Sequence, residues 1–215
     1  MTTILDFGED MEELLLKVVK NGKKRLIGKY KNIVSSVLIS IVTFDNKEYI
    51  ILEKRASHIS QGGEISFPGG KFDQDDISTE NTAIRECIEE LGVKKDKIEV
   101  IGKFGTLVNP SGIVIDVYIG KIDIQNLTEL DYNRDEVEKI VLVPMEFFLN
   151  NSPRIEKIGI KNVPLFSAYE LGIPEKYAHE WSGKDRTVYF YEYDGEVIWG
   201  ITAEIIYDFI NALKK

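Results

Sequence analysis

The segment from residue 69 to residue 93 constrains the fold most, because it joins a pair of glycines to an amphipathic helix. Its sequence is GGKFDQDDISTENTAIRECIEELGV. The glycines follow Pro68 and allow the backbone to approach a ligand closely. Ser78 or Thr79 is a suitable N-cap and Gly92 is a suitable C-cap, so a helix of about three to four turns is predicted between them. The segment therefore predicts a glycine loop that leads into a helix.

This predicted helix has an apolar side and an acidic side. The apolar side follows helical spacing, is predicted to pack inward and consists of Ile84, Cys87, Ile88 and Leu91. The acidic side consists of Glu86, Glu89 and Glu90. These carboxylates lie near the C-terminal end of the helix, where the helix dipole disfavours negative charge. A divalent cation would relieve the repulsion, and carboxylates select Mg²⁺ or Mn²⁺. Spacing alone favours a solvated acidic face, whereas the upstream sequence SFPGGK favours a metal site.

The rest of the chain predicts strands that alternate with helices. Strands are predicted at residues 32–44, 47–54, 98–103, 113–119 and 139–143. The first two form a hairpin with a turn at Asp45 and Asn46, and a further hairpin at residues 187–199 turns at Asp194 and Gly195. Helices are predicted at about residues 9–21, from Met145, and at about residues 202–214 with Thr202 as the cap. Helices on both sides of a sheet imply an α/β sandwich, with residues 1–215 as a single domain. Residues 150–186 are either substrate-selecting structure or an irregular connection.

Charge and cysteine content exclude several classes of protein. The net charge of -9 and the pI near 4.9 argue against binding to nucleic acid or to an anionic membrane. Cys87 is the only cysteine, so neither an intramolecular disulfide nor a cysteine-based zinc site is expected, and Cys87 is predicted to be packed. The N-terminus is acidic where a signal peptide would be basic, which predicts a cytoplasmic protein.

The glycine loop and the helix together resemble the signature of the Nudix hydrolase family, here a Nudix box at residues 70–93. The matching positions are Gly70, Asp76, Arg85, Glu86, Cys87, Ile88, Glu89, Glu90, Leu91, Gly92 and Val93. Asp76 stands where the general signature has glutamate, and Arg85 lies one residue further from Gly70 than in the commonest spacing. The resemblance implies a Nudix-type α/β/α sandwich with a mixed β-sheet.

The resemblance extends to the coenzyme A pyrophosphatase type subgroup. Residues 51–71, ILEKRASHISQGGEISFPGGK, are similar to the segment that precedes the box in that subgroup, and IWGITA at residues 198–203 is similar to its C-terminal segment. The aspartate and the extra loop residue also match the subgroup. Ala56 and Ser60 depart from it, because they occupy positions where the subgroup usually has serine and a second arginine. The resemblance is strongest over residues 51–93.

The resemblance also implies roles for individual residues. Metal ligands are expected to be Glu86, Glu89, Glu90 and the backbone of Gly70. Arg85 is expected to orient a carboxylate, and either Glu86 or Glu89 to act as the base. Glu136, or its neighbours Asp135 and Glu138, is the candidate for a base from a distant loop, although a solvated strand entrance explains these three residues equally well. Substrate contacts are expected from Arg55, His58, Gly69 and Lys71. At most one of Lys54 and Arg55 is expected to face the site, because neighbours in a strand point to opposite faces. Lys184 and Arg186 are either contacts to a terminal phosphate or turn residues.

The implied activity is metal-dependent hydrolysis of a nucleoside diphosphate-linked compound. The leading substrate is coenzyme A or an acyl derivative, cleaved to 3′,5′-ADP and a 4′-phosphopantetheine product. Alternatives are an ADP-ribose or dinucleotide pyrophosphatase, and a non-catalytic module that binds a nucleotide and regulates a partner. The module is disfavoured because all three carboxylates are present. The expected partner is a small diphosphate substrate rather than nucleic acid or membrane, and the resemblance allows a homodimer.

Overall fold

A seven-stranded mixed sheet forms the centre of the structure, a computed structural model that describes residues 33–109 and 112–215. Its strands are β1 (Ile33–Phe44), β2 (Lys47–Arg55), β3 (Ile65–Ser66), β4 (Gly69–Lys71), β5 (Ile98–Val108), β6 (Ile113–Ile122) and β7 (Val137–Pro144). The main path runs β3-β2-β1-β6-β5, while β4 pairs with β1 and β7 pairs with β2. The pair β1 and β6 is parallel and the other pairs are antiparallel. The predicted mixed sheet is confirmed.

The hairpin of β1 and β2 shows how local sequence sets this sheet. Both turn residues, Asp45 and Asn46, have positive φ angles of 49° and 59°. Aspartate and asparagine tolerate this conformation better than most residues, and it matches the twist of a tight hairpin. The register then pairs Phe44 with Lys47 and Ser40 with Ile51. The predicted hairpin and its turn are confirmed.

Helices cover both faces of the sheet, as predicted for an α/β/α sandwich. Helix α1 (Thr79–Leu91) lies on one face, and helices α2 (Met145–Asn150) and α3 (Gly200–Leu213) lie on the other. Alternate residues of the strands point to opposite faces. The core beside α1 includes Leu38, Val42, Ile51, Ala83, Cys87 and Leu91. The core beside α2 and α3 includes Ile39, Ile50, Leu52, Phe148, Ile206 and Phe209.

The region after α2 contains the hairpin predicted at residues 187–199 and three further short strands that the sequence did not predict. Its strands are β8 (Arg154–Ile158), β9 (Lys161–Asn162), β10 (Trp181–Ser182), β11 (Arg186–Tyr193) and β12 (Glu196–Trp199). A second sheet has the order β12-β11-β8, and β9 pairs with β10. The hairpin of β11 and β12 turns at Asp194 and Gly195, as predicted. Residues 150–186 thus include a strand that extends this second sheet, although most of their side chains are exposed.

The C-terminal helix begins earlier than predicted. Helix α3 starts at Gly200, with Trp199 as an N-cap that makes no side-chain hydrogen bond. Thr202 is therefore inside the helix, where it is buried, so the prediction that it caps the helix was wrong. In the part of the chain that the structure describes, no helix is long and apolar enough to cross a membrane. The predicted helix at residues 9–21 lies outside the described residues, and the single domain over residues 1–215 stays a prediction.

Candidate active site

Helix α1 is fixed at both ends by the caps that the sequence predicts. At the start, the backbone N–H of Asn81 donates to Ser78 Oγ at 3.2 Å. At the end, Gly92 has a φ of 66° and its N–H donates to the carbonyl of Ile88 at 2.9 Å. A side chain at Gly92 would also overlap the backbone of Asp131. Both ends of the helix are therefore held in place, and its side chains have fixed positions relative to the sheet.

The buried side of α1 differs from the predicted apolar stripe. Ala83, Cys87 and Leu91 are completely buried against the sheet, but Ile84 and Ile88 are only half-buried. The small side chain at Ala83 suits the close contact between the helix and the sheet, and this orientation turns the two isoleucines away from the core. The prediction that both isoleucines pack inward was wrong.

The three glutamates of α1, which were predicted to share one surface, differ strongly in burial. Glu90 is 3% exposed, and the Glu86 side chain is 14% exposed. The Glu89 side chain is 53% exposed and lies on the outer side of the helix. The orientation of α1 that turns Ile84 and Ile88 away from the core explains this difference. Glu86 and Glu90 therefore face the protein interior, whereas Glu89 faces solvent.

The two glycines of the predicted loop form the short strand β4, and they bring its backbone against Glu86 and Glu90. The N–H of Gly69 donates to Glu90 Oε2 at 2.8 Å. A methyl group at Gly70 would overlap the Glu86 carboxylate, and one at Gly69 would overlap the backbone of β1. Only glycine fits both positions without a shift of the surrounding atoms. The structure brings Gly69, Gly70, Glu86 and Glu90 together.

Arg85 connects the loop before α1 to the helix. Its Nε donates to Asp76 Oδ1 at 3.1 Å and its Nη2 donates to Asp76 Oδ2 at 3.0 Å. This paired hydrogen bond with Arg85 is the main reason why the pKa of Asp76 lies well below its usual value. The same bond raises the pKa of Arg85, so both groups stay charged at neutral pH. Asp76, the departure from the general signature, is the principal partner of Arg85.

Arg85 also contacts two of the predicted ligands. Its Nη1 lies 2.9 Å from Glu86 Oε1 and 2.9 Å from Glu89 Oε2. Its Nη2 donates to the carbonyl of Lys71 at 3.2 Å. One guanidinium therefore contacts the loop and two carboxylates, and its role in orienting a carboxylate for metal binding stays a prediction.

The sequence did not identify Glu53, a carboxylate of β2 at the same site. Its side chain is completely buried, and the Ser66 hydroxyl donates to its Oε1 at 3.3 Å. Arg55 Nη1 lies 3.9 Å from Glu53 Oε1 and 4.0 Å from Glu90 Oε1. Glu53 was missed because a single acidic residue in the run YIILEKR follows the ordinary pattern of a strand with one exposed position.

Burial and mutual repulsion disfavour the charged forms of these carboxylates. Burial is the largest cause that raises the pKa of Glu53 and of Glu90, and the negative charge of Glu53 raises the pKa of Glu90 further. Burial also raises the pKa of Glu86. A divalent cation would offset both effects, because it supplies positive charge to oxygen donors.

The residues present are chemically suited to Mg²⁺ or Mn²⁺. All the donors are hard oxygens, and no hydrogen-bond partner for Glu53 Oε2 is found among the described residues. Within residues 33–109 and 112–215, however, no group of three or more histidine, cysteine, aspartate or glutamate side chains is already arranged to hold a metal ion. Arg85 holds Glu86 and the N–H of Gly69 holds Glu90, so side-chain movements would have to accompany ion binding.

The other predicted site residues have different surroundings. The prediction that at most one of Lys54 and Arg55 faces the site is confirmed, because Lys54 points to the opposite face and pairs with Glu196 at 3.2 Å. His58 and Lys71 are exposed on the segments beside β3 and β4. Glu136 is exposed, and its charge contributes to the raised pKa of Glu53 and of Glu86. Glu136 therefore lies close enough to these two carboxylates to influence them.

Two further predictions concern residues away from the chemistry. Cys87 is buried, and burial raises the pKa of its thiol to about 12, so the prediction of a packed cysteine is confirmed. Arg186 was a candidate either for a phosphate contact or for a turn. It begins β11, and its Nη2 donates to Glu204 of α3 at 2.9 Å. This contact gives Arg186 a role in joining the second sheet to α3.

The fold and this site define a class of protein, an α/β/α sandwich in which a capped helix presents carboxylates to a glycine-containing strand. The sequence model of the NUDIX domain matches residues 35–166, more than half of the chain. The chain therefore belongs to the Nudix hydrolase family, enzymes that act on phosphorus-containing anhydrides. Enzymes of this family generally use divalent metal ions.

Two relatives and one solved structure are consistent with this assignment. Nudix hydrolase 3 of Caenorhabditis elegans is 27% identical over 219 residues, which cover 97% of this chain and 87% of that protein. The uncharacterized Nudix hydrolase NudL of Yersinia pestis (strain Pestoides F) is 30% identical over 173 residues, which cover 80% of this chain and 75% of that protein. A MutT/nudix family protein from Enterococcus faecalis has the same fold, with a TM-score of 0.50 and 16% identity. That match covers 96% of this chain and 71% of the solved chain.

Proposed function

We propose that this Nudix hydrolase cleaves the diphosphate of coenzyme A or an acyl-coenzyme A, giving 3′,5′-ADP and a 4′-phosphopantetheine product. The observation that carries the proposal is the convergence of Glu86 and Glu90 on the backbone of Gly69 and Gly70. This site has the oxygen donors that a Mg²⁺ or Mn²⁺ ion requires, next to a backbone without side chains that a phosphate can approach.

Glu86, Glu90 and the backbone of Gly70 would hold the metal, and Glu89 would join them from the outer side of α1. When bound, a divalent ion would supply positive charge to the phosphate and would make a water easier to deprotonate. Arg85 keeps Glu86 and Glu89 oriented through contacts of 2.9 Å to each. The ion and these residues would position the diphosphate for attack by a water.

The attacking water needs a proton acceptor. Glu86 and Glu89 are the proposed bases, and Glu86 is better enclosed, because its side chain is 14% exposed against 53% for Glu89. Glu136 is the proposed alternative from a distant loop, since its charge acts on both Glu53 and Glu86. A base must come within hydrogen-bond distance of the water, either directly or through one further water.

The substrate phosphates need positive partners in this acidic protein. Arg55 is the proposed main contact, because its guanidinium lies 4.0 Å from Glu90 and its side chain is partly exposed. Lys71, His58 and the N–H of Gly69 complete the proposed set beside the same strands. Coenzyme A is favoured over other diphosphates by the similarity of residues 51–71 and 198–203 to the coenzyme A pyrophosphatase subgroup.

A panel of substrates tests the proposal. Coenzyme A, ADP-ribose, NADH, diadenosine polyphosphates and oxidised nucleoside triphosphates are incubated with Mg²⁺ or Mn²⁺, and the products are separated by chromatography. We expect coenzyme A to be cleaved fastest, and we expect Glu89→Gln and Glu90→Gln to lose most of the activity. Glu48→Gln is the matched control, because Glu48 is an exposed glutamate near the start of β2, outside the proposed site.

The outcomes separate the reaction from the substrate. If ADP-ribose or a dinucleotide is cleaved faster than coenzyme A, that compound is the substrate, and the proposed metal-dependent hydrolysis still holds. A protein that binds these nucleotides and cleaves none would be a non-catalytic module, contrary to the proposal. The proposal also includes a cytoplasmic location and allows a homodimer, which fluorescence microscopy and light scattering respectively test.

A further inference from the structure

The carboxylate of Glu53 lies where the strand pattern calls for an apolar side chain. Along β2, Ile51, Glu53 and Arg55 point to the face that α1 covers, and Lys54 points to the other face. Ile51 and Glu53 are both completely buried. A buried carboxylate is costly unless an opposite charge and hydrogen bonds offset the loss of water. The surroundings of Glu53 should therefore contain those compensating groups.

The described neighbours satisfy only one of its two oxygens. The Ser66 hydroxyl donates to Oε1 at 3.3 Å, whereas no partner for Oε2 is found in the described part of the chain. Arg55 Nη1 is 3.9 Å from Oε1, beyond the usual length of a hydrogen bond. The Nε of Arg55 donates to the carbonyl of Ser60 at 3.2 Å. One hydroxyl and one guanidinium at 3.9 Å do not compensate a fully buried carboxylate for the loss of water around it.

Glu90 draws on the same guanidinium. Its Oε1 lies 4.0 Å from Arg55 Nη1, and its other oxygen accepts the N–H of Gly69 at 2.8 Å. Two buried carboxylates thus face one positive charge, and Glu86 stands on the same side of α1. A second positive charge between the carboxylates would balance the cluster. The oxygen of Glu53 that lacks a partner is available to bind it.

We propose that Glu53 is a further ligand of the divalent cation, joining Glu86 and Glu90 through the oxygen that has no protein partner. This inference rests on the metal site of the proposed function and adds a carboxylate from β2, outside the Nudix box. Its position on a central strand ties the ion to the sheet as well as to α1. Mg²⁺ and Mn²⁺ both accept such a carboxylate oxygen.

Binding of Mn²⁺ in the absence of substrate tests the inference directly. Free Mn²⁺ is followed by electron paramagnetic resonance during titration of the wild type, Glu53→Gln, Glu90→Gln and the control Glu48→Gln, which changes an exposed glutamate of the same strand as Glu53. We expect Glu53→Gln to weaken Mn²⁺ binding by about tenfold or more, the scale on which residues around a metal act. Glu90→Gln should weaken it as well, and Glu48→Gln should bind Mn²⁺ like the wild type.

The same titration distinguishes failure of this inference from failure of the proposed function. If Glu53→Gln binds Mn²⁺ like the wild type while Glu90→Gln does not, Glu53 is no ligand and the proposed metal site stands. If the wild type binds no Mn²⁺, or if Glu90→Gln binds it equally well, the metal site itself is wrong. In that case the role of Glu53 as a ligand is overturned with it.

Thermal unfolding separates a ligand from a purely structural side chain. As a ligand, Glu53 repels its neighbours without metal, so Glu53→Gln should unfold at a higher temperature in EDTA and gain less from Mn²⁺. A structural carboxylate predicts the opposite, a lower unfolding temperature in EDTA and an unchanged gain. Glu53→Met, which fills a similar volume without charge, repeats both measurements if glutamine prevents folding.

Discussion

Replacement of Arg85 by lysine keeps a positive charge and removes the planar group that joins the loop to α1. The wild-type guanidinium contacts Asp76 twice, at 3.1 and 3.0 Å, and also reaches the carbonyl of Lys71, Glu86 and Glu89. A lysine ammonium can approach only some of these oxygens at once. The substitution therefore tests whether paired geometry, rather than charge, holds the segment.

The contact with Asp76 dominates the expected loss of stability. The Asp76 side chain is 6% exposed, so its bonds are poorly replaced by water, whereas Glu89 is 53% exposed and its contact contributes little. A hydrogen bond to a charged group contributes about 1.5–3 kcal/mol. Arg85 itself is 32% exposed, which lowers the value, so we expect a loss of about 2 kcal/mol in the free energy of unfolding.

Urea unfolding followed by circular dichroism, in EDTA, measures this loss without any contribution from bound metal. Arg154→Lys is the matched control, because the Arg154 side chain is 76% exposed and its pair with Glu156 should contribute less than about 0.5 kcal/mol. The double variant with Asp76→Asn should lose less than the sum of the single variants. Equal stability of Arg85→Lys and the wild type, or strictly additive losses, would refute the reasoning.

The pH dependence of this pair has a definite sign. The pKa of Asp76 is lower in the folded protein than in the unfolded chain, mainly because Arg85 donates hydrogen bonds to it. Its contribution is therefore complete above the unfolded value of about 3.9 and is lost as the pH falls through the folded value. The difference in stability between the wild type and Asp76→Asn should persist at neutral pH and shrink in strong acid.

Three further predictions concern the glycine strand, the cysteine and the buried carboxylates. Gly69→Ala should lower the free energy of unfolding by about 1–3 kcal/mol, because the new methyl group overlaps the backbone of β1, whereas Gly105→Ala meets open space and should be better tolerated in the same urea assay. Cys87 should not react with a thiol reagent in the folded protein and should react fully in denaturant, since it is buried and its pKa is raised to about 12. In EDTA, the raised pKa values of Glu53 and Glu90 mean that the folded state binds more protons, so these groups should make thermal stability fall as the pH rises above their unfolded values. Excess Mn²⁺ should reduce that pH dependence, and a profile unchanged by Glu53→Gln would contradict its assignment to these carboxylates.

Strands and helix ends could be predicted from the sequence because local rules determine them. Runs of apolar and β-branched residues located β1 and β2, and Asp45 with Asn46 supplied a turn that needs positive φ angles. Ser78 and Gly92 marked the ends of α1 through hydrogen bonds within a few residues. Such features require no knowledge of distant parts of the chain.

The orientation of α1 and the role of Glu53 could not be predicted, because tertiary contacts decide both. Helical spacing predicted that Ile84 and Ile88 are buried, whereas in the structure Ala83 and Glu90 are the buried residues. Glu90 is buried because the N–H of Gly69, a residue of another element, donates to it at 2.8 Å. Glu53 belongs to the site only because β2 lies beside α1 in the folded chain.

The two departures from the general Nudix signature, Asp76 in place of glutamate and the additional residue before Arg85, are connected in the structure. Aspartate is shorter than glutamate by one methylene, and the additional residue before Arg85 lies in the same loop. Within this loop the Asp73 N–H donates to Asp76 Oδ2 at 3.0 Å, and the Asp76 N–H donates to the Asp73 carbonyl at 3.1 Å. Thr82 Oγ1 donates to Asp76 Oδ2 at 2.9 Å. Because the loop and the helix both hold Asp76, its short side chain meets the guanidinium with both oxygens, and a longer side chain on the same backbone would extend beyond this position.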